Sequence, residues 1–268
     1  MTSPVNYTTK AGSPQPLLRV QGLAKYYGSH LGCKDISFEL WPGEVLGVVG
    51  ESGSGKTTLL RCLAGQLETT AGSVFYGSNG DMSNVLEMPE AKKRLLMRTQ
   101  WGMVHQNPRD GLRMAVSAGA NIGERLMAVG NRHYGNIRGK ALEWLGLVEI
   151  DQRRVDDSPR SFSGGMQQRL QIARNLVSGP RLILMDEPTG GLDVSVQARL
   201  LDLLRRLVSQ LGLSVIIVTH DLAVARILAH RLMVMKEGRV VEQGLTDQVL
   251  DDPQHPYSQL LVSSILQI

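Results

Sequence analysis

The run Gly50-Glu51-Ser52-Gly53-Ser54-Gly55-Lys56-Thr57-Thr58 fits G-x-x-x-x-G-K-[ST], the spacing of a phosphate-binding loop. It follows Val45-Leu46-Gly47-Val48-Val49, an apolar run of buried-strand length. It opens Thr57-Thr58-Leu59-Leu60-Arg61-Cys62-Leu63, which predicts a helix start. That setting separates the match from a glycine-rich turn carrying a surface lysine. The glycines free the backbone to wrap a phosphate chain with converging N–H groups, and the helix N-terminus adds about half a positive charge. In this reading Gly50 through Thr58 bind nucleotide, Lys56 reaches the β- and γ-phosphates and Thr57 holds Mg2+.

Outward from the loop, Leu18-Arg19-Val20 alternates like an edge strand. Ile36-Ser37-Phe38-Glu39-Leu40 alternates likewise before the Trp41-Pro42-Gly43-Glu44 turn, where antiparallel pairing is expected. Gly72 to Gly77 reads as a short strand, Glu87 to Arg98 as a surface helix and Met103 to Gln106 as a brief strand. Between Asn107 and Ser161 strand-like runs disappear, and Asn121 to Met127 and Ala141 to Leu145 predict helices broken by glycines. Continuous apolar runs return at Leu182 to Met185, Val215 to Val218 and Leu232 to Met235, the pattern of parallel strands covered on both faces. Ser195 to Leu211 carries apolar residues at helical spacing after a cap at Asp193 or Ser195, and a last amphipathic piece runs from Ser258 to Leu266. The fold class is α/β with a mostly parallel sheet. Residues 1–16, rich in Ser, Thr, Pro and Gly, read as a flexible leader, so that the folded domain spans 17–268.

A chain of 268 residues with 42% apolar and 20% charged content is an ordinary soluble globular composition. A net charge of +4, with short basic clusters such as Lys92-Lys93-Arg94, gives no nucleic-acid track. Cys33 and Cys62 lack metal-site spacing and read as reduced, buried thiols in a reducing cytosol. No apolar run approaches the roughly 20 residues that span a bilayer. The expected location is therefore cytoplasmic, or peripheral to a membrane through a partner.

Two further stretches carry chemistry. Leu182-Ile183-Leu184-Met185-Asp186-Glu187 is a buried strand ending in two carboxylates, where a sheet delivers residues to a bound nucleotide. Alone such a pair is more often a solvated loop or a helix cap. Beside a phosphate loop, Asp186 suits Mg2+ and Glu187 suits the attacking water. Phe162-Ser163-Gly164-Gly165-Met166-Gln167-Gln168-Arg169 starts a helix that continues through Ile172, Ala173, Leu176 and Val177, a second anion-binding N-terminus in a chain with one phosphate loop. A head-to-tail dimer with twofold symmetry, each chain capping the other's nucleotide, reconciles the two, and a glycine-rich helix cap is the alternative.

With these motifs in order, the chain resembles the ATP-binding subunits of the ABC ATPase superfamily over most of its length. The resemblance implies an ABC-type P-loop ATPase with a RecA-like core (17–106 and 169–245), an antiparallel β subdomain, a helical subdomain (107–168) and a C-terminal extension (246–268). It implies ATP and Mg2+ as ligands, with Tyr27 stacking on adenine, Gln106 as the Q-loop glutamine near Mg2+ and the water, and Ser163, Gly164 and Gly165 as the signature. It further implies Asp186 as a metal ligand, Glu187 as the catalytic acid, Asp193 as the D-loop aspartate and His220 as the switch histidine at the γ-phosphate.

Met166 in the signature and His255-Pro256-Tyr257 resemble the oligopeptide and nickel importer branch. The D-loop Gly190-Gly191-Leu192-Asp193 departs from Ser-Ala-Leu-Asp, and Arg109 to Met114 departs from that branch's Ser-Leu-Asn-Pro-Arg, which puts conventional docking of a permease in doubt. Trp101 to Gln106, Ser117 to Met127 and His133-Tyr134-Gly135 resemble the ABC-type subunit of the bacterial carbon-phosphorus lyase system. That resemblance implies as partners a second copy or a paralogous ABC ATPase, together with soluble lyase core subunits. The alternatives are an importer motor on a membrane permease and an ATP-gated interaction module.

Overall fold

The computed structural model describes residues 15–78 and 81–264. In chain order, β1 (Leu18–Tyr27) and β2 (His30–Leu40) precede β3 (Val45–Val49), which leads through the phosphate loop into α1 (Lys56–Leu63). Then come β4 (Ala71–Ser78), β5 (Asp81–Asn84), α2 (Glu90–Thr99) and β6 (Trp101–Val104). Four helices follow: α3 (Pro108–Gly111), α4 (Ala118–Ala128), α5 (Tyr134–Leu147) and α6 (Gly164–Leu176). The remainder is β7 (Leu182–Asp186), α7 (Val194–Leu211), β8 (Ser214–Thr219), α8 (Leu222–Leu228), β9 (Arg231–Lys236), β10 (Arg239–Leu245), α9 (Thr246–Asp251) and α10 (Pro256–Ser263).

One sheet is antiparallel, in the order β2-β1-β4-β5, and the other has the order β10-β9-β3-β8-β7-β6, parallel except for β10. Every residue of β3, β7 and β8 is buried, which is why these strands read as unbroken apolar runs. Alternation along them feeds two cores. Leu46, Val48, Leu184, Ile216 and Met233 face α1 and the antiparallel sheet, whereas Val49, Met185, Val215, Ile217 and Val234 face α6, α7 and the other helices. Because β3, β8, β7 and β6 are neighbours and parallel, Gly50, His220, Glu187 and Gln106 leave them at one edge of the sheet.

Three expectations are corrected. β1 lies between β2 and β4 and is no edge strand. Its alternation arises because the sheet's outer face meets solvent, where Arg19 pairs with Glu39 at 2.7 Å. The antiparallel partner of β2 is β1 through the turn after Tyr27, while the Trp41–Glu44 turn passes the chain to the other sheet. Glycines do not break the helices of the 107–161 stretch: Gly123 lies inside α4, and Gly135, Gly139 and Gly146 lie inside α5. Gly123 permits close approach, since a Cβ there would stand 2.6 Å from Ile137 Cγ2.

Smaller differences have local causes. The surface helix starts at Glu90, because Pro89 divides it from a 3-10 turn at Val85–Glu87, and its Leu96 is buried while Leu95 is exposed. Cys33 and Cys62 are both buried. The hydrogen bond between their sulfurs holds the Cys33 thiol below its ordinary value and pushes the Cys62 thiol up. The leader reading falls almost entirely outside the described residues, as do the last two positions of the expected Ser258–Leu266 piece, whose helix α10 ends at Ser263.

Helical glycines thus divide into two kinds with opposite expected effects. Gly123→Leu should overpack the α4–α5 contact and cost about 1–3 kcal/mol. Gly139→Ala, in a helix interior with no heavy atom within 4 Å of the added Cβ, should stabilise by roughly 0.5–1 kcal/mol. Urea unfolding of both variants checks the signs.

Candidate nucleotide-binding site

The phosphate loop is wedged between two other strands. Gly50 has φ +147° and Gly55 φ +99°. A Cβ on Gly50 would lie 2.2 Å from the Met235 carbonyl oxygen, and one on Gly55 would lie 2.3 Å from the Gly32 carbonyl oxygen. Both positions therefore require glycine. Gly238 N donates to Ser54 O at 3.0 Å, and Glu51 N donates to the Tyr257 hydroxyl at 3.0 Å. Lys56 is 4% exposed. Its ammonium donates to Gly50 O and Glu51 O, each at 2.7 Å, and to Ser54 Oγ at 3.3 Å. Burial lowers its pKa, against the raising influence of Glu187, Asp186 and Glu51.

No side chain caps the N-terminus of α1, which leaves its first-turn amides free for an anion. Glu51, Ser52 and Gly53 form the exposed lip of the loop. The Thr57 hydroxyl donates to Asp186 Oδ1 at 3.0 Å, and burial of Asp186 raises its pKa. A hydroxyl and a carboxylate are hard oxygen donors of the kind Mg2+ takes, with phosphate oxygens and waters completing such sites. The glycine-walled cradle and this donor pair fit a Mg2+ nucleotide.

Glu187 follows β7 with φ +42°, a left-handed conformation that costs a non-glycine residue on the order of 1–3 kcal/mol. Its two carboxylate oxygens are both engaged. Oε2 accepts from Gln106 Nε2 at 2.9 Å, and Oε1 lies 3.1 Å from His220 Nδ1. Gln106, Glu187 and His220 thus meet as one cluster beside Lys56, Thr57 and Asp186. Tyr27, at the end of β1, reaches the loop through Gly32. A Cβ on Gly32 would lie 2.8 Å from Tyr27 Cε2 and 2.9 Å from the Thr58 methyl.

Ser163, Gly164, Gly165 and Asp193 sit elsewhere. Ser163 caps α6, its Oγ accepting from Met166 N at 3.4 Å. Asp193 caps α7, accepting from Val196 N at 3.0 Å and Ser195 Oγ at 2.8 Å, and those bonds hold its carboxyl below the usual range. Gly165 packs on the α7 start, where its Cβ would meet Val196 Cγ1 at 2.5 Å, and Gly164 faces Leu192. Among the described residues none of these four hydrogen-bonds to the loop at 50–58.

Sequence reasoning misses Gly32, and it names Tyr257 and Gly190 only as parts of His255-Pro256-Tyr257 and of the D-loop, without a role at the site. Gly190 leaves room for Gln106, whose Nε2 would be 3.3 Å from a Cβ there. A cavity of ≈ 450 Å³ lined by Gly43, Arg205 and His230 lies at the opposite ends of the strands, away from the candidate site.

Residues 33–190 match the family model described as ABC transporter. Over 253 residues the chain is 65% identical to PhnK of Escherichia coli (strain K12), described as a phosphonates utilization ATP-binding protein, across 94% of this chain and 99% of PhnK. It is 38% identical over 267 residues to the dipeptide transport ATP-binding protein DppF of Escherichia coli (strain K12), across 96% of this chain and 78% of DppF. Among solved structures, the dimeric post-hydrolysis state of the ATP-binding cassette MJ0796 bound to ADP and Pi superposes with a TM-score of 0.76 at 29% identity. That match covers 85% of this chain and 98% of the cassette. The β3–loop–α1 cradle, the paired acids after β7 and these matches converge: this chain belongs to the ABC transporter family and is an ATPase that binds ATP with Mg2+.

Proposed function

We propose that this ATPase serves phosphonate use as an ATP-dependent head-to-tail dimer, docked on the soluble core of a carbon-phosphorus lyase in the cytoplasm. The observation that carries this reading is the 65% identity to PhnK, which extends over 99% of that protein. Among the described residues no helix is long and apolar enough to cross a membrane, which accords with a soluble partner. The 38% identity to DppF keeps an importer motor as the second reading.

In the proposed mechanism, Lys56 and the first-turn amides of α1 hold the β- and γ-phosphates, with Gly50 to Gly55 shaping the cradle, Thr58 beside it and Tyr27 stacking on adenine. Thr57, Asp186 and Gln106 hold Mg2+, which when bound supplies positive charge at the transferring phosphoryl group. Glu187 takes the proton of the attacking water. Gln106, hydrogen-bonded to Oε2, and His220, 3.1 Å from Oε1, flank that carboxylate and set the direction in which it points. Ser163, Gly164, Gly165 and Asp193 act on the partner's nucleotide, a role supported by their lack of bonds to their own loop. Residues 107–168 form the helical unit that carries the signature, and the extension 246–268, of which 265–268 lie outside the described residues, reaches the loop through Tyr257.

Glu187→Gln keeps the carboxylate's size but not its basicity, so hydrolysis should fall by roughly 10²–10⁴-fold while ATP still binds. With ATP and Mg2+ the variant should sediment as a dimer and retain soluble lyase subunits in a pull-down. A saturated variant that stays monomeric would sink the dimer, and capture of a membrane permease alone would replace the lyase reading with the importer.

Sharing of sites is tested by mixing Lys56→Ala with Ser163→Arg chains. Each homodimer should be inactive, whereas mixed dimers should recover part of the ATPase activity through one intact composite site. Confirmed heterodimers without recovery would count against action in trans.

A further inference from the structure

β6 is the outermost strand of the six-stranded sheet, and its backbone groups on the side away from β7 need partners from outside the sheet. Side chains supply them. Arg125 Nη2 donates to Trp101 O at 2.6 Å. Met103 N donates to Asn175 Oδ1 at 3.1 Å, and Asn175 Nδ2 donates to Met103 O at 2.9 Å. His105 N donates to Gln171 Oε1 at 2.7 Å, and Gln171 Nε2 donates to His105 O at 3.1 Å. Gln168 Nε2 adds a bond to His105 O at 3.2 Å. The Asn175 and Gln171 carboxamides on α6 act as a further strand, each pairing with both groups of one residue. The spacing matches, because four helical residues advance about 6 Å and two strand residues about 6.6 Å.

Gln171 holds the last residue before Gln106. It is fully buried, and α3 closes over it: a Cβ on Gly111 would lie 2.2 Å from Gln171 Oε1. The other end of the same helix begins at Ser163. One side-chain pairing thus ties the signature helix to His105, the residue just before the one that grips Glu187.

We propose that Gln171 is a positioning residue for hydrolysis: its bonds to His105 hold Gln106 against Glu187 and make Gln106 move as one body with α6. Engagement of Ser163 with the partner's nucleotide then carries Gln106 into place at the chain's own site, linking the two sites of the dimer. This rests on the roles given above to Gln106 and Ser163.

The test is Gln171→Met, which keeps length and removes both bonds, measured in the wild-type and Gln106→Ala backgrounds of the full chain. A buried hydrogen-bonding pair lost at this position should lower kcat about tenfold or more. ATP affinity should stay within about twofold, because Lys56 and α1 are untouched. In the Gln106→Ala background Gln171→Met should produce no further loss. Gly111→Ala, which presses on the carboxamide without removing it, gives a second route. It should lower kcat less than Gln171→Met does, and that loss too should vanish with Gln106→Ala.

Wild-type kcat in both Gln171→Met and Gly111→Ala overturns the proposal, as does an equal fractional loss with and without Gln106, which would mark general damage. Wild-type kcat in Gln106→Ala alone would instead refute the role of Gln106 and, with it, this proposal.

Discussion

An ammonium buried to the extent of Lys56 has to be given oxygen partners, and the way this chain does so shapes much of the architecture around it. The partners are carbonyls of the loop that the lysine terminates. In a trans peptide the C=O and the following N–H point in opposite directions. Turning Gly50 O inward to Lys56 therefore turns Glu51 N–H outward, where it meets the Tyr257 hydroxyl. The bend this demands is open to glycine alone at positions 50 and 55, where the carbonyls of Met235 and Gly32 press on the loop. β9 and β2 thus press on the loop and α10 is hydrogen-bonded to it, so elements of both sheets meet at the candidate site.

The acids respond to the same burial. Desolvation is the largest influence on Lys56 and on Asp186, lowering one pKa and raising the other, so burial disfavours the charged form of each. Glu187 is held differently. It sits in a left-handed backbone conformation with one oxygen bonded to Gln106 and the other 3.1 Å from His220, so its orientation is set between these two side chains. The three come from the ends of β6, β7 and β8, and their meeting depends on the register of that sheet.

The parts legible in sequence were those whose physics is local. A glycine pattern between a strand and a helix, acids at the end of an apolar run and the buried strands themselves are written in contiguous residues. What escaped depends on partners distant in the chain. β1 read as an edge strand because Arg19 is half exposed, and sequence alternation does not distinguish a solvent-facing sheet surface from a sheet margin. The glycines of α4 and α5 read as breaks because the close approach of Gly123 to Ile137 is tertiary. In α6 the reading followed Ile172, Ala173, Leu176 and Val177, and so passed over Gln171 and Asn175, whose purpose appears only when β6 lies alongside.

The helix starts near the nucleotide edge differ in charge in a way that sorts their roles. α7 and α8 are capped by carboxylates: Asp193 accepts from Val196 N, and Asp221 accepts from Ala223 N and Val224 N. A carboxylate at that position neutralises the positive end of a helix and leaves little to attract a phosphate. α1 has no side-chain cap, and α6 has only the neutral Ser163 hydroxyl at 3.4 Å. These two N-termini keep their positive potential, yet α6 directs none of it through a hydrogen bond to the chain's own loop. Gly165 lets the start of α6 pack closely against Val196 of α7. An anion-ready N-terminus, unmatched by an anion site of its own, is what a surface needs if the phosphate it meets is bound by another chain.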